Sequence, residues 1–118
     1  MNNQVCISPV TLFRALGDDL RLAATLLIHQ QGKLCVCELM AAFAAPQPKV
    51  SRHLASLREA GVLATERRGQ WVYYYLNPHL PDWAMRILDE TARNHSALIA
   101  QPRDRLQAMA DRPALQCS

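Results

Sequence analysis

Two cysteines and a neighbouring polar segment are the residues whose types and spacing could do chemistry. One residue separates Cys35 from Cys37, and about ten residues later comes the polar and basic segment 47–61. Thiolates bind soft metal ions, and polar side chains near the start of a helix can contact base edges in DNA. The spacing therefore predicts a soft-ion sensor directly beside a DNA-reading helix.

The spacing of Cys35 and Cys37 indicates how an ion would act. In an extended chain, residues i and i+2 point to the same side, so their sulfurs could share one ion. In an α-helix the same residues lie about 200° apart and diverge. Both cysteines fall at the start of a predicted helix, the first of a helix-turn-helix pair. An ion that needs both thiolates would then distort that helix and disturb the reading helix.

The number of thiols limits the choice of ion. Two cysteines are too few for a closed zinc site, which usually has four ligands, whereas trivalent arsenic or antimony needs three. Cys6 and Cys117 are the other cysteines of the chain, and the four histidines form no ligand set by spacing. Free cysteines are also common as small buried side chains, which is the alternative interpretation of the pair.

The segment 47–61 has the pattern of a DNA-reading helix. Val50, Leu54 and Leu57 recur at i, i+4 and i+7, and Gly61 is a typical helix end. The other side of the helix is polar. We expect base contacts from Gln47, Ser51, Arg52 and His53, and phosphate contacts from Lys49 and Ser56. At the tip of a following hairpin, the candidates for backbone or minor-groove contact are Arg67, Arg68 and Gln70.

Local signals predict the remaining elements. Ser8-Pro9 opens a first helix, Asp18 caps a second that ends at Gln31-Gly32, and a third follows the cysteines and ends before Pro46. Two strands, 62–67 and 70–76, are joined at Arg68-Gly69. A long last helix begins at Pro81-Asp82 and includes Leu98 and Ile99. The fold class is mainly α with a β-hairpin, a dimeric winged helix-turn-helix.

Composition agrees with one small DNA-binding domain. The 118 residues suit a single domain, with an ordered core over 8–100 and a flexible tail over 102–118. Between residues 46 and 76, five cations outnumber two anions, and the rest of the chain is neutral. No apolar run is long enough to span a membrane and no secretory leader is visible, so we expect a cytoplasmic protein. Apolar stripes on the first and last helices predict a homodimer on palindromic double-stranded DNA.

The chain resembles the arsenical-responsive repressors of the ArsR/SmtB family. The resemblance rests on residues 34–39, 48–54, 57–63 and 68–74, and extends through 78–84. It implies a homodimeric winged helix that represses a resistance operon and leaves operator DNA when trivalent arsenic or antimony binds. By position, Cys35 and Cys37 match the sensing pair, 47–56 the reading helix and 67–70 the wing tip. The resemblance implies no enzyme and no catalytic cofactor.

One position departs from the family pattern and leaves the signal open. The third cysteine of the arsenic site, three residues after the second, is replaced here by Met40. The third ligand could be Cys6, as in members that sense cadmium or lead, or Cys117 if the tail folds back, or a solvent molecule. The alternative signals are therefore cadmium or lead through Cys6, or oxidation of Cys35 and Cys37. A thiol enzyme is excluded because the chain lacks a C-x-x-C motif and a phosphate loop.

Overall fold

The computed structural model describes residues 7–110 and residue 112. In chain order the elements are α1 (Pro9–Leu16), α2 (Asp19–Gln31), β1 (Lys33–Cys35), α3 (Val36–Phe43), α4 (Gln47–Glu59), β2 (Leu63–Arg68), β3 (Trp71–Leu76), α5 (Asp82–Asn94), a 3₁₀ segment (Ser96–Ile99) and α6 (Ala100–Ala108). Within this part of the chain, no helix is both long and apolar enough to cross a bilayer. Cys6 and Cys117 lie outside the described residues.

The predicted starts of the first two helices are confirmed. The Ser8 hydroxyl accepts a hydrogen bond from the Thr11 N–H at 3.1 Å, ahead of α1. The Asp18 carboxylate accepts one from the Arg21 N–H at 3.0 Å, ahead of α2. Each side chain satisfies an N–H group that has no partner inside its own helix, which fixes where the helix begins.

The end of α4 is also set by local chemistry. Gly61 has φ +89°, a conformation that glycine adopts without strain. The Val62 N–H bonds to the Leu57 carbonyl and the Gly61 N–H to the Arg58 carbonyl, both at 3.0 Å. These two bonds form a Schellman motif, and the buried Val62 and Leu57 are its usual apolar pair. Gly61 therefore ends α4 as predicted.

The sheet has three antiparallel strands in the order β1-β3-β2. The hairpin is confirmed, and its second strand ends at Leu76 as predicted. The first strand, the turn and the start of the second strand lie one residue later than predicted, because Arg68 pairs with Trp71 and leaves Gly69-Gln70 as the turn. Gly69 has φ +61° at the first turn position, the pattern of a type II′ hairpin turn. The three-residue strand β1 was not predicted. It pairs Cys35 with Tyr73 of β3.

The order α3, turn, α4, then a β2–β3 hairpin is that of a winged helix-turn-helix. Helix α3 packs on α4, and α4 packs on β2. The predicted apolar stripe of α4 is buried, since Val50, Leu54 and Leu57 are at most 1% exposed. The polar face of the helix is thereby turned away from the core.

The C-terminal part differs from the prediction. The expected long helix breaks after Asn94 into the 3₁₀ segment and α6, and residues 102–108 are helical, not a flexible tail. Helix α6 packs on α3, with Pro102 buried and Leu106 fully buried. Pro102 is tolerated because it lies in the first turn of α6. The short, mostly polar sequence of α6 gives little periodic signal, so packing on α3 decides its structure.

Candidate thiol site and nucleic-acid interface

The two cysteines of the predicted sensing pair lie in different surroundings. Cys35 is the last residue of β1 and the N-cap of α3, with extended backbone (φ −91°, ψ 170°), and it is 1% exposed. Cys37 is the second residue of α3 and is exposed. The helical start of α3 therefore keeps one thiol in the core and the other at the surface.

The start of α3 is closed by a capping box in which a thiol takes the place of the usual hydroxyl. Glu38 Oε1 accepts a hydrogen bond from the Cys35 N–H at 3.0 Å, and the Cys35 side chain faces the Glu38 N–H. Glu38 is fully buried, and Arg112 Nε lies 2.9 Å from its Oε2. A buried carboxylate is costly unless it is paired and hydrogen-bonded, so Arg112 and the Cys35 N–H together make this burial possible.

Burial also controls the Cys35 thiol. Desolvation is the main reason that the pKa of Cys35 is raised to about 11; the Glu38 N–H acts against it and the Glu38 carboxylate acts with it. The thiol is therefore protonated at neutral pH. An ion that binds this sulfur has to displace its proton.

Cys35 is joined to both predicted DNA-contacting parts of the fold. Through β1 it pairs with Tyr73 of β3, and β3 forms the hairpin wing with β2. Through α3 it is connected to α4, which packs against α3. Cys35 is therefore in an element that directly contacts the hairpin and in one that directly contacts α4.

A third ligand is not assembled in the part of the chain that the structure describes. Over residues 7–110 and 112, no group of three or more His, Cys, Asp or Glu side chains could hold a metal ion. His29 Nε2 lies 2.6 Å from Asp89 Oδ1, but this is a pair between α2 and α5. Met40 is partly buried in α3. Any third thiolate has to come from Cys6 or Cys117.

Most of the predicted DNA-contacting side chains of α4 are exposed together. Gln47, Lys49, Arg52 and Ser56 are exposed, and Ser51 is half-buried. The N-cap residue of α4 is Pro46, which makes no side-chain hydrogen bond to the helix start. An uncapped helix start presents N–H groups and a positive dipole end, which favour phosphate.

His53 is placed differently from its neighbours on α4. Its Nδ1 lies 3.2 Å from Arg21 Nη1 and 3.9 Å from Asp18 Oδ2, and its side chain is 12% exposed. Burial lowers the pKa of His53, although the charge of Asp18 raises it. A neutral ring can accept the hydrogen bond from Arg21. The structure thus turns His53 toward the start of α2, away from the face that carries Arg52, because α2 packs on this side of α4.

The wing tip carries the predicted cations at the surface. Arg67, Arg68 and Gln70 are exposed. Glu66 lies between two cations, with its Oε1 3.3 Å from Arg68 Nε and its Oε2 3.3 Å from Lys33 Nζ. The hydrogen bond from Lys33 and then that from Arg68 hold the pKa of Glu66 below its usual value. Glu66 therefore offsets part of the positive charge at the wing.

Two parts of the site were missed at the level of sequence. Glu38 follows Cys35 by three residues, which is the spacing of a capping box, so a search that allowed cysteine as the cap would have found it. Arg112 carries no such signal. It reaches Glu38 only because α6 returns the chain along α3.

Comparisons with known proteins agree with this architecture. The profile of the bacterial regulatory protein, arsR family, matches residues 18–65. The arsenic resistance transcriptional regulator ArsR2 of Pseudomonas putida is 50% identical over 107 residues, covering 91% of this chain and 93% of that protein. The arsenical resistance operon repressor of Escherichia coli is 51% identical over 85 residues, covering 72% and 73%. The structure of HlyU from Vibrio cholerae matches with a TM-score of 0.66 at 26% identity, covering 74% and 90%. The chain belongs to the ArsR family of bacterial transcriptional regulators.

Proposed function

We propose that this protein is a transcriptional repressor of an arsenic or antimony resistance operon. It binds operator DNA in the cytoplasm as a homodimer and is released when trivalent arsenic or antimony binds Cys35 and Cys37. The observation that carries the proposal is that the Cys35 sulfur caps the first helix of the helix-turn-helix. The names of the Pseudomonas and Escherichia relatives support the signal.

For DNA, the exposed polar face of α4 enters the major groove and the wing tip follows the backbone. Arg52 is suited to a guanine edge, because its guanidinium can donate two parallel hydrogen bonds. The proposed contact set is Gln47, Lys49, Ser51, Arg52 and Ser56 on α4, with Arg67, Arg68 and Gln70 on the wing. His53 supports the position of α4 through Arg21 and is left out of this set.

For the homodimer, the support is exposed apolar surface. Val10 and Phe13 of α1 are 63% and 54% exposed, and Leu98 of the 3₁₀ segment is 44% exposed. Such side chains are stabilised when a second copy covers them. Two copies related by a two-fold axis would present two α4 helices to a palindromic operator.

Release follows from the different surroundings of the two thiols. An ion that binds Cys37 at the surface and Cys35 in the core draws the Cys35 sulfur away from the Glu38 N–H. Loss of a cap costs a helix about 1 kcal/mol, and here it also disturbs β1, which is paired with β3 of the wing. By linkage, an ion that prefers the uncapped state weakens DNA binding as much as DNA weakens ion binding.

The alternative signals receive different support. Oxidation is disfavoured because a buried thiol with a pKa of about 11 is a poor nucleophile. Cadmium or lead would need a third ligand such as Cys6, which lies outside the described residues. Trivalent arsenic or antimony needs a third ligand as well, so the choice of inducer rests on the names of the Pseudomonas and Escherichia relatives.

The test is fluorescence anisotropy of a labelled upstream DNA fragment, titrated with protein and then with arsenite. Cys35→Ser and Cys37→Ser should bind DNA as wild type does and should not be released. Met40→Leu is a matched control in the same helix, and it should be released normally because its thioether is not a ligand. If either serine variant lost DNA binding itself, or kept normal release, the sensor assignment would be wrong.

A further inference from the structure

A polar cavity lies on the side of α4 that faces α1 and α2. Its volume is about 280 Å³, and its lining consists of two arginines, two hydroxyl side chains and two alanines: Thr11, Arg14, Ala15, Arg21, Ser56 and Ala60. None of these six described residues is acidic. A cavity lined by cations and hydroxyl donors suits an anion with several acceptor oxygens, such as a phosphate group.

Arg21 is held in a fixed position in the wall of this cavity. Its Nε donates to the Ala15 carbonyl at 2.7 Å and its Nη2 to the Arg14 carbonyl at 3.4 Å, while its Nη1 lies 3.2 Å from His53 Nδ1. These bonds use three of the five N–H groups of a guanidinium. The other two have no acceptor in the part of the chain that the structure describes. The charge of Arg21 also acts on Asp18, so each of these charges offsets part of the other.

Arg14 is the cation that is available at the cavity. Its side chain is exposed and makes no hydrogen bond or ion pair within residues 7–110 and 112. The Thr11 hydroxyl accepts a hydrogen bond from Ser8 at 2.9 Å, so its own O–H is left to donate. Ser56 is exposed, and its hydroxyl makes a long bond of 3.3 Å to the Arg52 carbonyl. An anion in the cavity could therefore be held from α1 and from α4 together.

The cavity lies beside the predicted DNA-contacting face of α4. Lys49 and Ser56, the two residues of α4 expected to contact phosphate, are seven positions apart and therefore lie on the same side of the helix. A helix in the major groove has a sugar–phosphate backbone along each of its sides. Since Ser56 also lines the cavity, a strand that follows Lys49 and Ser56 would pass the cavity. These positions favour a backbone phosphate of DNA over a free anion.

We propose that this cavity binds one backbone phosphate of the operator, with Arg14 as its main cationic ligand and Thr11 and Ser56 as hydroxyl donors. This rests on the DNA-binding part of the proposed function, and it adds α1 to the contacts made by α4 and the wing. The phosphate is bound by charge and hydrogen bonds, so the contact carries no sequence information. It raises the affinity for any duplex and adds to the salt dependence of binding.

The salt dependence of DNA binding tests the proposal. Arg14→Ala keeps the main-chain carbonyl that binds Arg21, and far-UV circular dichroism checks that the variant is folded. We expect the slope of log Kobs against log salt to fall by about one per protomer. The affinity should fall by the same factor for the upstream fragment and for an unrelated duplex of equal length. Arg86→Ala is the control, because it removes an exposed arginine of α5, and it should leave the slope and both affinities unchanged.

A second substitution tests whether α1 and α4 share one phosphate. Ser56→Ala alone should weaken binding to both duplexes. In the Arg14→Ala background it should have a smaller effect, because both residues contact the same group. Effects that simply multiply would mean separate phosphates and would overturn the shared site. An unchanged slope in Arg14→Ala, or a loss confined to the upstream fragment, would also overturn the proposal.

Calorimetric titration of the DNA-free protein with inorganic phosphate separates the two sources of the anion. We expect no saturable binding at millimolar phosphate, because a single phosphate group lacks the other contacts of DNA. Saturable binding that is lost in Arg14→Ala, with the DNA slope unchanged, would overturn the proposal in favour of a free-anion site. If wild type bound DNA with the expected slopes but was not released by arsenite, the proposed sensor would fail and the phosphate site would stand.

Discussion

The two helices of the helix-turn-helix begin in opposite ways. Helix α3 begins at a capping box between Cys35 and Glu38, and the buried Glu38 carboxylate is also paired with Arg112. Helix α4 begins at Pro46, whose side chain caps nothing, and exposed polar residues surround its first turn. The N-terminus of α3 is therefore capped by side chains of the protein. The N-terminus of α4 has no side-chain cap, and its N–H groups are left to an acceptor from outside the protein.

The difference separates the two proposed ligands. Phosphate can approach the start of α4 without displacing any protein group, so DNA binding needs no rearrangement there. Under the proposed function, a soft ion that binds both Cys35 and Cys37 opens the cap of α3. The uncapped start of α4 suits DNA, the ligand proposed to be bound before the signal arrives. The capped start of α3 suits the proposed soft ion, whose binding would change that state.

The largest expected effect on stability comes from removing Arg112 from the capped start of α3. Arg112→Ala leaves the fully buried Glu38 without its cation, and removal of one partner of a buried pair costs about 3–5 kcal/mol. Because the Cys35 N–H still donates to Glu38, we expect about 3 kcal/mol in the free energy of unfolding, measured by urea denaturation.

A matched ion pair at the surface calibrates that result. Glu90 and Arg93 of α5 are 63% and 72% exposed, so Arg93→Ala should lower the free energy of unfolding much less than Arg112→Ala does. Equal losses of unfolding free energy in Arg112→Ala and Arg93→Ala would mean that the Glu38–Arg112 pair does not behave as a buried ion pair.

The next largest effect is on DNA binding and comes from removing Arg52 on the exposed polar face of α4. Arg52→Ala should weaken binding to the specific operator by about 1–3 kcal/mol if its guanidinium contacts a base. Arg58→Ala is the control, because Arg58 is an exposed arginine at the far end of the same helix. Anisotropy titrations at fixed salt measure both. Equal losses in the two variants would show that only the charge of α4 matters, and not the position of Arg52.

The smallest effect concerns α2, whose start has an ordinary carboxylate cap. Asp18→Ala should cost about 1 kcal/mol of unfolding free energy at pH 7. The Arg21 N–H holds the pKa of Asp18 below its usual 3.8, and the charges of His53 and Arg21 act in the same direction. The carboxylate therefore stabilises the fold above about pH 4, and this stabilisation is lost as the pH falls through the lowered pKa.

The pH dependence is the part of this prediction that can be checked cleanly. The difference between wild type and Asp18→Ala should shrink between pH 7 and pH 3 in chemical denaturation. Ser8→Ala removes a cap that does not titrate, so its cost should be the same at both pH values. A constant difference for Asp18→Ala would show that the charge of the cap contributes little.

Local signals sufficed for much of the fold. The caps at Ser8 and Asp18 and the end at Gly61 depend on residues within one turn, so sequence predicts them well. The three residues of β1 become a strand only because β3 lies beside them. Helix α6 is stabilised by α3, far away in sequence. These two elements were missed because their partners are tertiary.

The same division applies to the candidate site. The cysteine pair and the polar face of α4 are visible as residue types at a spacing. The orientation of His53 depends on α2, which contributes Arg21 and Asp18 against its ring. The buried Glu38 carboxylate is paired with Arg112, 74 residues later in the chain. Residue types and their spacing therefore indicate which residues could act, and packing decides which of them are exposed.

The thiol cap of α3 has a consequence for how such a protein can change over generations. Hydroxyl and carboxylate side chains are the preferred caps of helices, so serine at position 35 would hold α3 at least as well as Cys35 does. Under the proposed function, that exchange would keep the fold and DNA binding but remove the response to the inducer. A lineage that no longer meets the inducing element could then lose the response by one substitution with little cost in stability, and its operon would stay repressed.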